Sequence, residues 1–254
     1  MLLFISFRPD VKCFCGRPAL ESGLCPYHDP QCIRDRRCRA RLSFDPVCEG
    51  CNLPGGEASG VAPRLRGAKI HGPLIVETVV GDVELSEARG VDVFIYNVRG
   101  AVRLGGSRFR HIYIDTVLGD VYMAGVKAES VVVEGVVGRL VADGAKLGGH
   151  LYVGEVKGGV SLAAAQLAGE AVLYKIAGRI SAGARAYSIA ISNSKGDVEL
   201  PGANTEGDIH IVESTGERLD LSGVEVGGRI FLVNSKFGGA RIDRGDILKR
   251  LVVL

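Results

Sequence analysis

The stretch GDVELSEARGVDVFIYNVRG, residues 81–100, contains two short runs in which apolar and polar residues alternate, and it begins and ends with glycine. Alternation with a period of two is typical of β-strands that bury one face. Glycine recurs along the chain at intervals of 18 to 20 residues, at positions 81, 100, 119, 138, 158, 178, 196 and 216. A repeat of this length predicts a solenoid, in which each coil buries its apolar face against its neighbours.

The apolar residues of consecutive coils occupy matching offsets from these glycines. In three coils the residues predicted to face inward are Val83, Leu85, Ala88, Val93, Ile95 and Val98; Val102, Leu104, Ser107, Ile112, Ile114 and Val117; and Val121, Met123, Val126, Val131, Val133 and Val136. Several of them are five residues apart, which describes a square coil of about 20 residues. We expect about nine such coils between residues 61 and 245.

The runs RLRGAKIHGPLIVE (64–77) and GDVELSEARG (81–90) resemble the repeats of divergent pentapeptide-repeat proteins, a similarity that covers residues 61–240. The short, valine-rich coils also resemble those of bactofilins. Both resemblances imply an all-β chain folded as a right-handed parallel β-helix. The resemblance to bactofilins further implies a scaffold that assembles through the ends of the β-helix.

All seven cysteines lie between positions 13 and 51, and together with His28 they provide eight ligand-type residues: Cys13, Cys15, Cys25, His28, Cys32, Cys38, Cys48 and Cys51. Close pairs separated by a loop suit four-coordinate zinc, and seven thiols cannot all pair as disulfides. Residues 1–51 are therefore predicted to hold two structural Zn²⁺ ions. The ligand sets are either sequential (13/15/25/28 and 32/38/48/51) or cross-braced (13/15/32/38 and 25/28/48/51). A disulfide-rich or reduced cluster is the alternative.

The segment CGRPALESGLCPYH, residues 15–28, is similar to the small zinc knuckles of microbial and phage proteins, and the ligand order of the whole block resembles a RING finger. Closed sites with four protein ligands fold a segment and leave no open position for catalysis. Residues 52–60 are rich in turn formers and are interpreted as a linker. Residues 246–254 are interpreted as a C-terminal cap or an assembly tail.

The run RDRRCRAR, residues 34–41, contains Arg34, Arg36, Arg37, Arg39 and Arg41 against a single aspartate. Guanidinium groups suit phosphate oxygens, so this loop is predicted to contact RNA, the ribosome or DNA. The alternatives are ion pairs within the chain and a protein partner. At one corner of the last coils Ser194, Ser214 and Ser235 are predicted to form a ladder of hydroxyls that satisfies a wetter corner. The functional alternative for these serines is a polar strip that serves as a second docking surface.

The remaining histidines stand at different offsets in their coils, so the sequence predicts no catalytic site and no small-molecule substrate. A formal net charge of +2 is too mild to indicate a polyanion-binding surface over the whole molecule. No apolar run is long enough to span a membrane and the opening lacks a secretory signal, which predicts a cytoplasmic protein. Few asparagines, glutamines and methionines fit a thermophilic source.

From these features we expect a non-enzymatic binding protein, in which a rigid β-helix carries a zinc module that docks on nucleic acid or a ribonucleoprotein. The alternative is a self-assembling scaffold similar to bactofilins, whose zinc module recruits a protein partner.

Overall fold

The computed structural model describes residues 7–12, 18–21, 47–53, 55–243 and 245–254. These residues form an all-β parallel solenoid, which confirms the fold class predicted from the glycine repeat. One helix, Gly245–Arg250, is present in the described part of the chain. Near the N-terminus, Phe7–Lys12 pairs antiparallel with Pro18–Leu20 in a separate two-stranded sheet.

Three parallel sheets form the sides of the solenoid, and successive coils add one strand to each. Sheet A has eleven strands: Gly56–Val61, Leu74–Val80, Asp92–Arg99, His111–Val117, Ser130–Val136, Leu151–Val156, Ala171–Tyr174, Ile189–Ser192, Ile209–Val212, Ile230–Val233 and Leu251–Val253. Sheet B has nine: Val83–Glu84, Val102–Arg103, Val121–Tyr122, Leu140–Val141, Val160–Ser161, Ile180–Ser181, Val198–Glu199, Thr215–Asp220 and Lys236–Arg241.

Sheet C is made of two-residue strands: Lys127–Ala128, Lys146–Leu147, Gln166–Leu167, Arg185–Ala186, Asn204–Thr205 and Glu225–Val226. Single-residue bridges at Arg89 and Arg108 extend it toward the N-terminus, where Asn52–Leu53 pairs with Lys69–Ile70. Each coil therefore passes from sheet B to sheet C and then to sheet A. The eleven strands of sheet A correspond to roughly the number of coils expected from the repeat.

The core is a stack of inward-facing columns that run along the solenoid axis. All the residues predicted to face inward in the three coils after Gly81 are buried, with Ile112 the most exposed at 2%. Stacking of the coils removes these side chains from water, which one coil alone cannot do. The hydrophobic effect along the columns and the coil-to-coil backbone hydrogen bonds thus stabilise the same arrangement.

The coil has three sheets instead of the four equal sides expected from the five-residue step. In the first coils the sheet A strand is seven or eight residues long and bends at a residue with positive φ, namely Thr78, Asn97 or Thr116 (φ 52°, 53° and 57°). Pairing continues past this bend, since Val79 lies in register with Val98. Two of the expected sides are therefore joined into one bent strand.

From Gly100 onward the repeated glycines form a column in which each residue lies directly against the backbone of the preceding coil. A Cβ atom on Gly158 would stand 2.5 Å from the carbonyl carbon of Gly138. Gly119 faces the carbonyl of Gly100 in the same way, again too close for a side chain. Because Cβ contacts this short do not occur, the period of the repeat is set by the absence of a side chain at this corner.

The solenoid begins before the boundary expected from the sequence. Residues 52–60, interpreted as a linker, contribute Asn52–Leu53 and Gly56–Val61, which pair with the following coil. Of the glycines that suggested a linker, Gly55 occupies a tight corner. At Gly55, which has a φ of 100°, a Cβ would lie 2.7 Å from the Pro73 oxygen. Cys48, Cys51 and Leu53 are buried and belong to the core of this first coil.

The C-terminal residues pack on the last coil. Leu251–Val253 pairs in parallel with Ile230–Val233 in sheet A, and Ile247 of the helix is 1% exposed in the core. The Arg250 guanidinium donates to the carbonyl oxygens of Gly227 and Gly228, at 2.6 and 3.0 Å. The helix and the final strand are thus fixed to the solenoid by both apolar and polar contacts.

Candidate functional site

Sheet C carries a line of cations on its outer surface, which we name the basic ladder. Its members are exposed side chains from six coils: Lys69, Arg89, Arg108, Lys127, Lys146 and Arg185. The Cα register pairs Lys69 with Arg89, Arg89 with Arg108, and so on along the sheet, with Gln166 between Lys146 and Arg185. At about 4.8 Å per coil, the ladder is about 29 Å long.

Ladder positions alternate with core positions because strands place successive side chains on opposite faces. Arg108 follows the buried Ser107 and precedes the buried Phe109, while Lys146 stands between the buried Ala145 and Leu147. The buried neighbours fix the strand, so the outward cations occupy the same position in each coil and are evenly spaced along the solenoid axis.

None of the ladder cations forms an ion pair within the described part of the chain. Arginines elsewhere on the solenoid do: Arg103 pairs with Asp82 at 3.3 Å and Arg139 with Asp120 at 3.3 Å, each across one coil. Like charges directly opposite in neighbouring strands repel and are destabilising. The whole chain has a net charge of +2, so the residues outside the ladder are net acidic. Positive charge is therefore concentrated on this face at a cost to stability.

A groove of about 440 Å³ lies beside the C-terminal half of the ladder. Its walls include Lys146, Gln166, Arg185, Tyr187 and Glu206. Tyr187 is 52% exposed, and among the large apolar side chains exposed in the described ranges it is the aromatic one. The groove therefore combines two cations with an aromatic ring, an amide and a carboxylate.

The outer face of sheet A has a different character, with aromatic side chains on several coils. Tyr96 and Tyr113 have ring centroids 5.5 Å apart, and His210 stacks on Phe231 at 4.9 Å. Burial is the main cause of the raised pKa of Tyr113. The residues of this face contact one another across coils, and its composition does not resemble that of the ladder.

The serines predicted to form a hydroxyl ladder connect consecutive coils. Ser194 and Ser214 are 1% and 0% exposed. The Ser194 Oγ accepts from the N–H of Ile176 at 3.2 Å, and the Ser235 Oγ accepts from the N–H of Ser214 at 3.1 Å. Ser194 and Ser214 thus face the corner of the core. Their burial keeps the two hydroxyls from contact with a surface partner. The geometry is that of a hydroxyl ladder.

Of the predicted zinc ligands, Cys48 and Cys51 are described. Both are buried at the first coil, with Cα atoms 5.8 Å apart, and the structure joins their sulfur atoms as a disulfide. The chemistry of a Cys-x2-Cys pair also fits two of the four ligands of a structural zinc ion. Cys13, Cys15, Cys25, His28, Cys32 and Cys38 lie outside the described residues, as do Arg34, Arg36, Arg37, Arg39 and Arg41.

In the described ranges no group of three or more His, Cys, Asp or Glu side chains is arranged to hold a metal ion. The histidines at 71, 111, 150 and 210 belong to different coils, and His111 makes its closest contact, 2.7 Å, with the Ser130 hydroxyl. Across the same ranges the structure contains no helix that is long and apolar enough to cross a membrane.

The basic ladder was missed by the sequence reasoning, although its signal is present. From Lys69 to Lys146 the cations recur at intervals of 19 or 20 residues, in step with the glycines, and Arg185 follows two coils later. They are separated by many uncharged residues, so they do not form a run of like charge. Only superposition of the coils shows that they share one offset.

No family model, curated protein or solved structure matches this chain. The resemblances to pentapeptide-repeat proteins and to bactofilins thus rest on the sequence patterns alone. The function has to be inferred from the surface of the solenoid itself.

Proposed function

We propose that this protein is a non-enzymatic nucleic-acid-binding solenoid whose main contact surface is the basic ladder. The observation that carries the proposal is the line of six exposed cations on seven consecutive coils, interrupted once by Gln166, with no ion-pair partner within the described residues. A linear polyanion that lies along the solenoid axis can place its phosphates beside one cation after another. Each contact releases condensed counterions, which supplies favourable free energy at low salt.

The rigidity of the scaffold favours this mode of binding. Lysine and arginine side chains lose rotamer freedom on binding, but the strands that carry them are already ordered by the core. A fixed row of cations therefore binds a polyanion with less loss of conformational entropy than a disordered basic tail. Such contacts fix position along the phosphate backbone and carry no sequence information.

The N-terminal module belongs to the same proposal. Arg34, Arg36, Arg37, Arg39 and Arg41 would extend the contact surface beyond the solenoid. With the Cys48–Cys51 disulfide reduced, zinc held by the eight predicted ligands would fold that segment, and the Cys48 and Cys51 thiolates would connect it to the first coil. RNA, DNA and a ribonucleoprotein such as the ribosome share the phosphate chemistry that these cations recognise.

The test compares two triple variants by fluorescence anisotropy with labelled RNA and DNA. Arg89→Ala, Arg108→Ala and Lys127→Ala remove three neighbouring rungs of the ladder. Lys157→Ala, Lys195→Ala and Lys236→Ala remove the same charge from exposed positions at the corner between sheets A and B, where Lys195 and Lys236 both pair with Thr215. We expect the first variant to lose most of its affinity and the second to lose little. Equal losses, or no binding by the unmodified protein at low salt, would contradict the proposal.

A second candidate function is a self-assembling scaffold, and it is favoured by the exposed apolar residues near the C-terminus. Leu248, Val253 and Leu254 are 58%, 67% and 70% exposed. Removing residues 247–254 would not test this cleanly, because the buried Ile247 would leave the core. Leu248→Ser with Val253→Lys keeps Ile247 and removes two of the three exposed apolar side chains. Concentration-dependent assembly that this double variant abolishes would support the scaffold function.

A further inference from the structure

We propose that the ligand of the basic ladder is single-stranded nucleic acid, and that the groove beside Gln166 receives one of its unpaired bases against Tyr187. This inference rests on the proposed function and specifies its ligand. The observation behind this inference is the groove, because a surface that only attracts phosphates does not require a pocket beside its cations.

The groove exists because two coils have small residues, in place of larger ones, in one outward-facing column of sheet C. Two positions after the ladder residue of each coil, the chain has Gly148, Ala168, Tyr187 and Glu206 in successive coils. Gly148 and Ala168 leave a depression, and Tyr187 closes one end of it. The Tyr187 ring lies beside Gly207, where a Cβ would be 3.4 Å from its Cε1 atom. The ring is thus supported from one side and remains half exposed.

Beside this groove one ladder position is neutral instead of cationic. Gln166 interrupts the row of cations, with Lys146 one coil before it and Arg185 one coil after it. A phosphate on each of these cations would leave the connecting nucleotide next to a neutral amide. Amide groups read base edges with both a donor and an acceptor, and the carboxylate of Glu206 can accept from a base amino group. A carboxylate in this position would repel a phosphate but not a base.

The groove distinguishes nucleic acid from other linear polyanions. Polyphosphate and acidic polysaccharides supply charges for the ladder but have no planar, unsaturated ring to stack on tyrosine. Base stacking on aromatic side chains together with a positively charged track is the usual way in which proteins hold single strands. In a double helix the faces of the bases are already stacked on one another, so a duplex would contact the ladder without filling the groove.

The experiment measures binding of a single-stranded oligonucleotide, a duplex of equal length and a polyphosphate to the full chain. Tyr187→Ala removes the ring. Tyr174→Ala is the matched control, since Tyr174 is a partly exposed tyrosine of sheet A that contacts Lys175. We expect Tyr187→Ala to weaken single-strand binding by about 5- to 150-fold, the range for loss of one stacked base. Duplex and polyphosphate binding should not change, and the control should bind like the unmodified protein.

A second measurement reports the stacking directly. The chain has no tryptophan, so Tyr187→Trp introduces a single indole into the groove. Its fluorescence should be quenched by the single strand and not by polyphosphate.

The two proposals fail in different ways. If binding depends on Arg89, Arg108 and Lys127 but duplex and single strand bind equally and Tyr187→Ala has no effect, the base-binding groove is wrong and the ladder proposal stands. If the triple ladder variant binds as well as the unmodified protein, both proposals are wrong. Quenching of the introduced indole by polyphosphate as strong as that by the oligonucleotide would also overturn the base-binding groove.

Discussion

The backbone N–H of Ser194 donates to the Oγ of Ser214 across 3.3 Å, so a side chain supplies the acceptor at a corner between two coils. The Ser214 hydroxyl in turn donates to the carbonyl oxygen of Val212 at 2.9 Å. Valine occupies this corner in earlier coils, for example at Val98 and Val117, where the sheet A strands are longer. The serines thus replace backbone pairing where the sheet A strands become short.

We predict that Ser214→Ala destabilises the protein by about 1–3 kcal/mol, because it leaves the buried N–H of Ser194 without its acceptor. Ser214→Val should not restore stability, since valine fills the space but accepts no hydrogen bond. The free energy of unfolding from urea titration measures both variants. Full stability of Ser214→Val would show that packing, and not the hydrogen bond, maintains this corner.

Ser107 should respond in the opposite direction. It is 0% exposed, and its hydroxyl has no hydrogen-bond partner in the described structure. Alanine occupies the equivalent corner at Ala88, one coil earlier, and is equally buried. We predict that Ser107→Ala is neutral or stabilises by up to about 1–3 kcal/mol, because it removes an unsatisfied polar group from the core. Thermal unfolding of the two serine-to-alanine variants side by side checks the contrast, and a loss of stability at Ser107 would refute it.

The glycine column predicts a strong steric effect at one position and a weak conformational effect at another. Gly119→Ala places a Cβ against the carbonyl of Gly100 and should cost about 3 kcal/mol. Gly125→Ala has no atom within 4 Å of the new Cβ, although its φ is 67°, so it should cost about 1 kcal/mol. Chemical denaturation of both variants tests the order, and equal losses would mean that close coil contact is not what requires glycine.

Acid should destabilise the solenoid through its bridging aspartates. The N–H of Arg139 donates to Asp120 at 2.8 Å and the Tyr122 hydroxyl donates at 2.7 Å; these bonds lower the pKa of that carboxyl in the folded protein. The pKa of Asp82 is lowered in the same way, chiefly by the N–H of Ala101. The stabilisation is complete above the unfolded pKa of about 3.9 and is lost as pH falls through the lower folded pKa.

Urea unfolding at pH 7, 4 and 3 should therefore show a free energy of unfolding that declines below about pH 4. Asp120→Asn should unfold more readily at pH 7 and should show a smaller decline toward pH 3. An identical pH dependence for this variant and the unmodified protein would show that Asp120 titrates normally in the folded state.

Salt dependence gives a quantitative measure of the basic ladder. If Arg89, Arg108 and Lys127 each contact a phosphate, their removal should lower the slope of log affinity against log salt by about 2 to 3. Removal of Lys157, Lys195 and Lys236 should leave the slope unchanged. Titration of the same labelled strand from low to physiological salt measures both slopes. Parallel lines for the ladder variant and the unmodified protein would show that these cations do not touch the phosphates.

The sequence was sufficient to predict the solenoid because its core repeats in both spacing and chemistry. Val83, Leu85 and Ala88 could be placed inside from their offsets after Gly81, since inward positions are apolar in nearly every coil. The bend at Thr78 could not be foreseen, because a threonine with positive φ is imposed by the neighbouring coils and has no signature of its own.

The candidate site was harder to predict than the core, for a physical reason. Outward positions are not restricted by packing, so Arg89 and Arg108 resemble any other exposed arginine in the sequence. Their common line appears only when the register of sheet C is known. Similarly, the groove at Tyr187 depends on the small residues Gly148 and Ala168, which lie 39 and 19 positions before it in the sequence.

Because every cation of the basic ladder comes from a different coil, the length of the ladder is proportional to the number of coils. Inserting one coil with a lysine at the ladder offset would lengthen the strip by about 4.8 Å and one charge, while leaving the other rungs in place. If the ladder binds nucleic acid as proposed, the number of coils would determine how many nucleotides the protein covers, and evolution or design could adjust that number one coil at a time without altering the fold.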